Sequence, residues 1–274
     1  MQLSFRKMHG AGNDFLVIDQ RKGAQDVLAT AAIRQLADRR TGVGFDQLMW
    51  IVPPRDAEHI ADYRVFNADG SEVEQCGNGV RCVAWVLAQE NRQEFTLGSP
   101  AGPVAVRILD ESSVSVSMGQ PEFDPANIPF LADARAPVYS LETGGETFSV
   151  SALSMGNPHC VLQVDHVADA DVPTLGPLIE THERFPNDTN VGFMAIRNRG
   201  QIDLRVHERG VGETMACGTG ACAAVVAGRI LDELDEDVEV SLPGGQLMVS
   251  WPGESASVWL SGNAELTYEG TLNI

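Results

Sequence analysis

Short apolar stretches, separated by glycine, proline and polar residues, run along the whole chain and predict a protein rich in β-strands. Residues 114–118 alternate strictly between apolar residues and serine, which is the period of a strand with one buried face. Other stretches carry apolar residues over five or six positions. The remaining predicted strands are 15–19, 47–52, 63–67 and 104–109 in the first half, and 160–164, 191–196, 202–207, 238–242 and 247–251 in the second.

Helical spacing of apolar residues appears in three places, at 29–39, 79–89 and 220–231. The stretch 220–231 is rich in alanine and apolar on nearly all sides, which indicates a buried helix wrapped by a sheet. Residues 119–150 are rich in proline, alanine and glycine, and this composition favours a crossover between two domains.

Three short motifs recur in the same order in the two halves of the chain. Their shared order favours a duplicated unit over coincidental glycine-rich turns, and it predicts two pseudo-equivalent domains. The motifs are GN at 12–13 and 156–157, VGF at 43–45 and 191–193, and CGNG at 76–79 against CGTG at 217–220.

Composition narrows the class of protein. A hydrophobic content of 43% and a charged content of 21% are typical of a globular chain of 274 residues. The net charge of −19 argues against nucleic-acid and anionic-membrane partners, and we read it as a solubility feature. Five cysteines, no CxxC pair and no signal-like N-terminus lead us to expect reduced thiols in the cytoplasm and no metal site.

The repeated cysteines, Cys76 and Cys217, lie just before two predicted helices. A helix N-terminus binds anions and stabilises a thiolate, which lowers a cysteine pKa from its free value of about 8.5. Two such thiols on two facing domains suit a two-base reaction, in which one removes a proton from a carbon and the other protonates the opposite face. Such an inversion requires no pyridoxal phosphate.

Two other interpretations of Cys76 and Cys217 stay open at this point. They are structural cysteines that cap two core helices, or a reversible disulfide pair in a thiol oxidoreductase. Recurrence of the turn in matched halves favours the two-base interpretation. Cys82 and Cys222 lie further along the predicted helices, and we expect them to pack in the core.

The chain resembles the diaminopimelate epimerase family over nearly its whole length. The matching motifs are KMHGAGNDF at 7–15, GVGFDQ at 42–47, FNADGSEVEQCGNG at 66–79, SMGNPH at 154–159, NVGF at 190–193, ERGVGET at 208–214 and ACGTGACAA at 216–224. The resemblance implies an α+β fold of two pseudo-symmetric domains, each a curled, mostly antiparallel sheet around a central helix, with the active site in the cleft between them. It implies an N-terminal domain of residues 1–118, to which 264–274 return, and a C-terminal domain of residues 119–263.

The resemblance also implies an activity and its residues. The enzyme would be a cytoplasmic isomerase, generally a homodimer, that interconverts LL- and meso-2,6-diaminopimelate in lysine and peptidoglycan precursor biosynthesis, without a cofactor. Cys76 and Cys217 would be the acid/base thiols; family usage makes Cys76 the proton donor and Cys217 the acceptor, and these roles exchange with the direction of the reaction. His159 and Glu208 would support catalysis, and Tyr268 matches a position linked to the dimer. The implied substrate-binding residues are Asn13, Gln47, Asn67, Gly77, Asn78, Asn157, Asn190, Glu208, Arg209, Gly218 and Thr219.

Each of these residue types also has a plainer interpretation. Asparagines beside glycine or proline are common turn residues, adjacent charges such as Glu208 and Arg209 are commonly solvated, and His159 suits a satisfied core position. Three competing functions remain: a racemase of another amino acid on the same fold, the thiol oxidoreductase, and a non-catalytic binding protein. The glutamate–arginine pair and the amides favour a long, doubly charged substrate.

Overall fold

The computed structural model describes residues 2–23, 26–74, 76–88 and 92–273, which include all five cysteines. The chain divides into two compact units: unit 1 comprises Met1–Ser117 and Ser261–Ile274, and unit 2 comprises Met118–Leu260. The observed divisions fall after residues 117 and 260, whereas we expected them after 118 and 263. The last residue of the predicted helix at 79–89 lies outside the described ranges.

The elements of unit 1 are strands β1 (Gln2–Gly10), β2 (Asn13–Asp19), β3 (Gln47–Val52), β4 (Ala61–Asn67), β5 (Glu72–Val73), β6 (Glu94–Ser99), β7 (Gly102–Ile108), β8 (Ser113–Ser117) and β18 (Glu265–Asn273), with helices α1 (Thr30–Ala37) and α2 (Gly77–Ala88). The elements of unit 2 are strands β9 (Tyr139–Thr143), β10 (Glu146–Ser154), β11 (Pro158–Gln163), β12 (Asn190–Asn198), β13 (Gln201–Glu208), β14 (Gly212–Thr214), β15 (Asp237–Leu242) and β16 (Gly245–Ser250), with helices α3 (Val172–Glu180) and α4 (Gly218–Ile230) and a 3₁₀ turn at Val167–Asp169. Strand β17 (Trp259–Asn263) leads from unit 2 back into unit 1.

The sheet of unit 1 curls around helix α2. Its strands follow the order β18, β1, β2, β3, β4, β6, β7, β8, with short β5 paired beside β4. The β2–β3 and β4–β6 pairs are parallel and the others are antiparallel. Helix α2 contacts β1, β2 and β3 towards one side of the sheet and β7 and β8 at the other. A flat sheet could not reach one helix from both sides, so the sheet is curled.

Unit 2 repeats this arrangement around helix α4. Its strands follow the order β9, β10, β11, β12, β13, β15, β16, with β14 beside β13, and the β11–β12 and β13–β15 pairs are parallel. Nearly every residue of α4 is buried, and the helix contacts β10 to β13 as well as β16. The prediction of a buried helix wrapped by a sheet is therefore confirmed, as is the predicted fold class. Among the described residues, no helix is long and apolar enough to cross a membrane.

The parallel strand pairs β2–β3 and β11–β12 have the same register in their two sheets. On the parallel strands β2 and β3, Phe15 lies opposite Gln47, and on β11 and β12, His159 lies opposite Asn190. Phe15 and His159 are 144 positions apart, as are the two asparagines of the repeated GN motif. Gln47 of unit 1 therefore corresponds to Asn190 of unit 2.

This register corrects the repeat of the VGF motif. Residues 43–45 lie in the loop before β3, where Gly44 has a φ of +73°, whereas 191–193 lie inside β12. A left-handed loop glycine and a glycine in an extended strand are not equivalent positions. The predicted match at an offset of 148 residues is therefore wrong, while the GN and cysteine–glycine matches agree with the topology.

Residues 119–150 are also not a linker. They belong to unit 2, supply β9 and the start of β10, and bury Ile128, Phe130 and Tyr139 in its core. Proline-rich segments bury apolar side chains without regular hydrogen bonding, which is why composition misled the prediction. Helix α3 was missed for a related reason, since its sequence VPTLGPLIE contains two prolines and a glycine.

Candidate active site

The first cysteine–glycine turn lies at the start of α2 in unit 1. The Gly79 N–H donates to Cys76 Sγ at 3.4 Å, and the Val80 N–H donates to the Cys76 carbonyl at 2.9 Å. Cys76 is half-buried, while Gly77, Asn78 and Gly79 are buried. A Cβ on Gly79 would lie 2.5 Å from Met49 Sδ on β3, so a glycine lets the helix start against the sheet.

Asn13 lies beside this turn, and Asp46 determines its orientation. The Asn13 Nδ2 donates to Asp46 Oδ2 at 2.6 Å, and the Cys76 thiol is 4.0 Å from Asn13 Oδ1. A carboxylate only accepts hydrogen bonds, so the amide nitrogen must face Asp46 and the amide oxygen must face the sulfur. Asp14 supports the same corner through Lys7 and through two bonds from Arg39 at 2.7 and 2.9 Å.

These cations change the proton affinity of Asp14. Burial favours the neutral carboxyl, but the hydrogen bonds from Arg39 and Lys7 outweigh burial and hold the Asp14 pKa far below its usual range. Asp14 and Asp46 are not among the predicted site residues. In the structure, Asp46 orients Asn13, and Asp14 and Arg39 support the same corner. These residues are too far apart in sequence for a local pattern to indicate the contacts.

Gln47 and Asn67 form a neutral pair across β3 and β4. The Gln47 Nε2 donates to Asn67 Oδ1 at 2.9 Å, and the Asn67 Nδ2 donates to Ser71 Oγ at 3.1 Å. Within the described residues, Gln47 Oε1 is buried and accepts no hydrogen bond. A buried acceptor without a donor is unfavourable, and a bound N–H group would satisfy it.

The second turn, in unit 2, caps helix α4 with Cys217. The Gly220 N–H donates to Cys217 Sγ at 3.4 Å, and Thr219 Oγ1 lies 3.5 Å from the same sulfur. Cys217 is almost fully buried. Burial, and then the negative charge of Glu208, raise the pKa of Cys217 well above its usual value, although Thr219 and the Gly220 N–H act in the opposite direction. The lowered pKa that we expected from the helix N-terminus is therefore wrong for this cysteine.

A chain of hydrogen bonds leads from His159 towards Cys217. The His159 Nε2 lies 3.1 Å from Asn157 Oδ1, and the Asn157 Nδ2 donates to Thr219 Oγ1 at 3.4 Å. His159 is fully buried, and burial together with the positive charge of Arg209 lowers its pKa to about 3. A neutral imidazole must donate from Nε2 to the amide oxygen, which directs the amide nitrogen of Asn157 to Thr219.

Asn190, Glu208 and Arg209 meet at the end of β13. Asn190 Oδ1 accepts from the Arg209 N–H at 3.0 Å, while its Nδ2 donates to the Pro158 carbonyl at 3.0 Å. The Thr214 hydroxyl donates to Glu208 Oε1 at 2.5 Å. Thr214 thus holds the Glu208 carboxylate, while the exposed Arg209 side chain donates from its guanidinium to the Asn187 carbonyl at 3.0 Å. Thr214 is a further contact that the sequence analysis did not single out.

The remaining predicted residues fall in several environments. Gly77, Asn78, Gly218 and Thr219 form the first turns of α2 and α4. Tyr268 lies far from these turns in sequence, on β18, with its ring 44% exposed and edge-on to Phe5 at 6.0 Å.

Two further predictions concern cysteines and metals. Cys82 and Cys222 are fully buried, as predicted for core residues, and burial raises the pKa of the Cys82 thiol to about 12. In the described part of the chain, no group of three or more His, Cys, Asp or Glu residues is arranged to hold a metal ion.

Comparisons with known proteins show the family and the fold of the chain. A family model for diaminopimelate epimerase matches residues 5–123 and 151–267. A hydroxyproline epimerase from Agrobacterium vitis has a TM-score of 0.69 at 15% identity, with 99% of this chain and 92% of that chain covered. A predicted epimerase from Pseudomonas aeruginosa has a TM-score of 0.67 at 18% identity, with 99% of each chain covered. A phenazine biosynthesis protein from Bacillus anthracis has a TM-score of 0.67 at 13% identity, with both chains fully covered. At these identities the solved structures establish a shared fold and no more.

Proposed function

Because the chain belongs to the diaminopimelate epimerase family, we propose that it interconverts LL-2,6-diaminopimelate and meso-2,6-diaminopimelate by a cofactor-independent reaction of two thiols. Family membership makes it an isomerase of the epimerase type, and the choice of diaminopimelate is the proposal. One observation carries it: the thiol turns of the two units match, while the side chains beside them differ.

That difference lies at equivalent positions. In unit 1, neutral Gln47 pairs with neutral Asn67. In unit 2, the corresponding strand ends carry Asn190 and charged Glu208, with Arg209 directly after it. An enzyme that inverts one amino-acid centre while holding a second, charged amino-acid end needs this asymmetry. A substrate with a single amino-acid end would not use it.

In the proposed reaction, one sulfur acts as a thiolate and removes the hydrogen of the α-carbon as a proton. The electron pair stays on that carbon, and the thiol of the other cysteine delivers its proton to the opposite face. One thiolate and one thiol are therefore present before and after each turnover, with their positions exchanged. Helix N-terminal N–H groups at residues 77–78 and 218–219 are donors that suit the substrate carboxylate and the developing negative charge.

The raised pKa of Cys217 supports a role in the free enzyme opposite to the one that family usage gives it. A buried thiol beside the Glu208 carboxylate keeps its proton, so we propose that Cys217 is the proton donor in the first direction. A substrate ammonium bound to Glu208 would offset the negative charge that opposes ionisation of Cys217. Substrate binding would thereby ease the reverse role, in which Cys217 acts as the base.

Recognition of two ammonium and two carboxylate groups requires both charged and neutral partners. Arg209 suits a carboxylate and Glu208 suits an ammonium. The buried Oε1 of Gln47, which accepts no hydrogen bond from the described residues, suits an ammonium N–H. Asn13, with its amide oxygen directed to Cys76, provides a further acceptor at the reacting end.

We also propose a homodimer in the cytoplasm, with Tyr268 at the subunit contact. An exposed tyrosine on β18, a strand that pairs with β1, is available for such a contact. Sedimentation of Tyr268→Asp tests this part separately: a dimer that persists in this variant would contradict it.

The deciding experiment follows the α-proton. Reduced protein is incubated with LL-diaminopimelate in deuterium oxide, and deuterium uptake at C2 and the chiral composition are measured together. We expect both exchange and formation of the meso isomer, and neither in Cys76→Ala. L-Proline and trans-4-hydroxy-L-proline are run in parallel. If a proline substrate takes up deuterium and diaminopimelate does not, the proposed substrate is wrong. If none of them takes up deuterium, the epimerase assignment is overturned.

A further inference from the structure

One carboxylate is bonded to the residues on both sides of the Glu208–Arg209 pair. Glu180, the last residue of helix α3, accepts from His207 Nε2 on Oε2 at 2.7 Å and from the Gly210 N–H on Oε1 at 2.6 Å. His207 directly precedes the charged pair and Gly210 directly follows it. We call Glu180, His207 and Gly210 the turn clamp.

The turn clamp is built into the packing of unit 2. The side chains of His207 and Glu180 are only 8% and 13% exposed. Gly176 lies one helical turn before Glu180, and a Cβ at Gly176 would lie 2.6 Å from the His207 ring. The imidazole therefore lies against the bare backbone of α3 and reaches the carboxylate on the same helix face. Hydrogen bonds to a charged group are strong in such a low-dielectric place.

Unit 1 fastens the equivalent turn with different chemistry. Arg34 of helix α1 donates from Nε to the Asp69 carbonyl at 2.6 Å. Asp69 and Gly210 are 141 positions apart, as are Cys76 and Cys217. In each unit, a helix side chain thus holds the turn that follows a recognition residue. Unit 2 uses a buried carboxylate where the turn carries two charged side chains.

We propose that Glu180 is a positioning residue that holds Glu208 and Arg209 in the geometry that binds the non-reacting amino-acid end of the substrate. This inference rests on the proposed function for the identity of that substrate. Glu180 is bonded to the turn and not to either cysteine. Its loss should therefore weaken substrate binding more than it slows the proton transfers.

The test compares Glu180→Ala, Glu180→Gln and Glu183→Gln. Glu183 is exposed and lies just beyond the end of α3, so its variant controls for lost charge near the helix. For Glu180→Ala we expect KM for LL-diaminopimelate to rise about tenfold or more, equivalent to about 1.4 kcal/mol of binding, while kcat stays within about threefold. Glu180→Gln should recover part of the affinity, because its amide oxygen can still accept from the Gly210 N–H.

A second readout needs no substrate. Amide hydrogen exchange of the segment 207–212 should be faster in Glu180→Ala than in the wild type and in Glu183→Gln, because Gly210 loses its acceptor. If the wild type does not epimerise diaminopimelate, the proposed function fails, and exchange still decides whether Glu180 holds the turn. Unchanged exchange, or a lower kcat with unchanged KM in a folded Glu180→Ala protein, would overturn the positioning role. If Glu180→Ala does not fold, the KM and kcat criteria apply to Glu180→Gln, whose amide nitrogen cannot accept the second of the two hydrogen bonds.

Discussion

Gly176→Ala should destabilise the protein, although alanine is the better helix former. Gly176 is buried inside helix α3, and an added Cβ would lie 2.6, 2.7 and 2.9 Å from Cγ, Nδ1 and Cβ of His207. These atoms belong to the base and ring of the side chain, and the Nε2 end of the ring is held by Glu180. The ring can therefore yield only by leaving its hydrogen bond.

The sign of the effect follows from three contributions. Helix propensity favours alanine by about 1 kcal/mol, overpacking in a filled core opposes it by about 1–3 kcal/mol, and loss of a hydrogen bond to a charged group opposes it by about 1.5–3 kcal/mol. The free energy of unfolding should therefore fall by about 1.5–5 kcal/mol. Helix propensity alone predicts a rise in the free energy of unfolding, whereas the steric clash with His207 predicts a fall.

Denaturant unfolding, followed by tryptophan fluorescence, measures the difference. Thr174→Ala, at an exposed position of the same helix, controls for propensity and should be neutral or slightly stabilising. Adding His207→Ala to Gly176→Ala should remove the clashes with the ring and leave only the contact with Cβ of residue 207, so the two substitutions should couple strongly. A Gly176→Ala protein that is as stable as the wild type, or more stable, would refute the steric reasoning.

Other predictions address the site directly. Single Cys76→Ala and Cys217→Ala variants should lose at least about a hundredfold in epimerisation rate, and near-normal turnover of either folded variant would contradict the two-thiol reaction. Burial keeps His159 neutral, with a pKa of about 3 against 6.5 in its ordinary state. As the pH falls from about 6.5 towards 3, the unfolded chain binds a proton that the native state does not, so stability should fall by about 1.4 kcal/mol per pH unit from this group. Comparison with His159→Gln in unfolding titrations tests this, and equal slopes would disprove it. Asp46→Asn should lower kcat/KM about tenfold, because the Asn13 amide is then free to turn its nitrogen to the Cys76 sulfur. Unchanged kinetics would show that Asp46 does not set that orientation.

Prediction from sequence succeeded where the signal is local. The strand at Gln47–Val52 has the predicted bounds, and α2 and α4 begin two residues before their predicted starts. Strands β1 and β18 were missed. β1 buries Lys7 where apolar periodicity expects a hydrophobic residue, and β18 is exposed at most of its positions. The alternation that marks a half-buried strand is confined to residues 2–6 in β1 and is absent from the burial pattern of β18.

The repeated cysteine–glycine turns, and with them the candidate thiols, were determined by the sequence alone. A helix N-terminus is formed by consecutive residues, so its N–H donors, its glycines and its capping sulfur can be read together along the chain. The unlike recognition residues could be read in the same way, because strand-end residues lie at matched offsets in the two halves.

The state of these groups was decided only by the tertiary structure. Burial and Glu208 raise the pKa of Cys217 against the local field of its helix, and Asp46 and Glu180 hold residues that are distant from them in sequence. Desolvation and carboxylate partners depend on which distant segments pack around a group. A local motif therefore identifies a thiol and its helix, whereas the surrounding fold determines whether the thiol keeps its proton and which residues lie beside it.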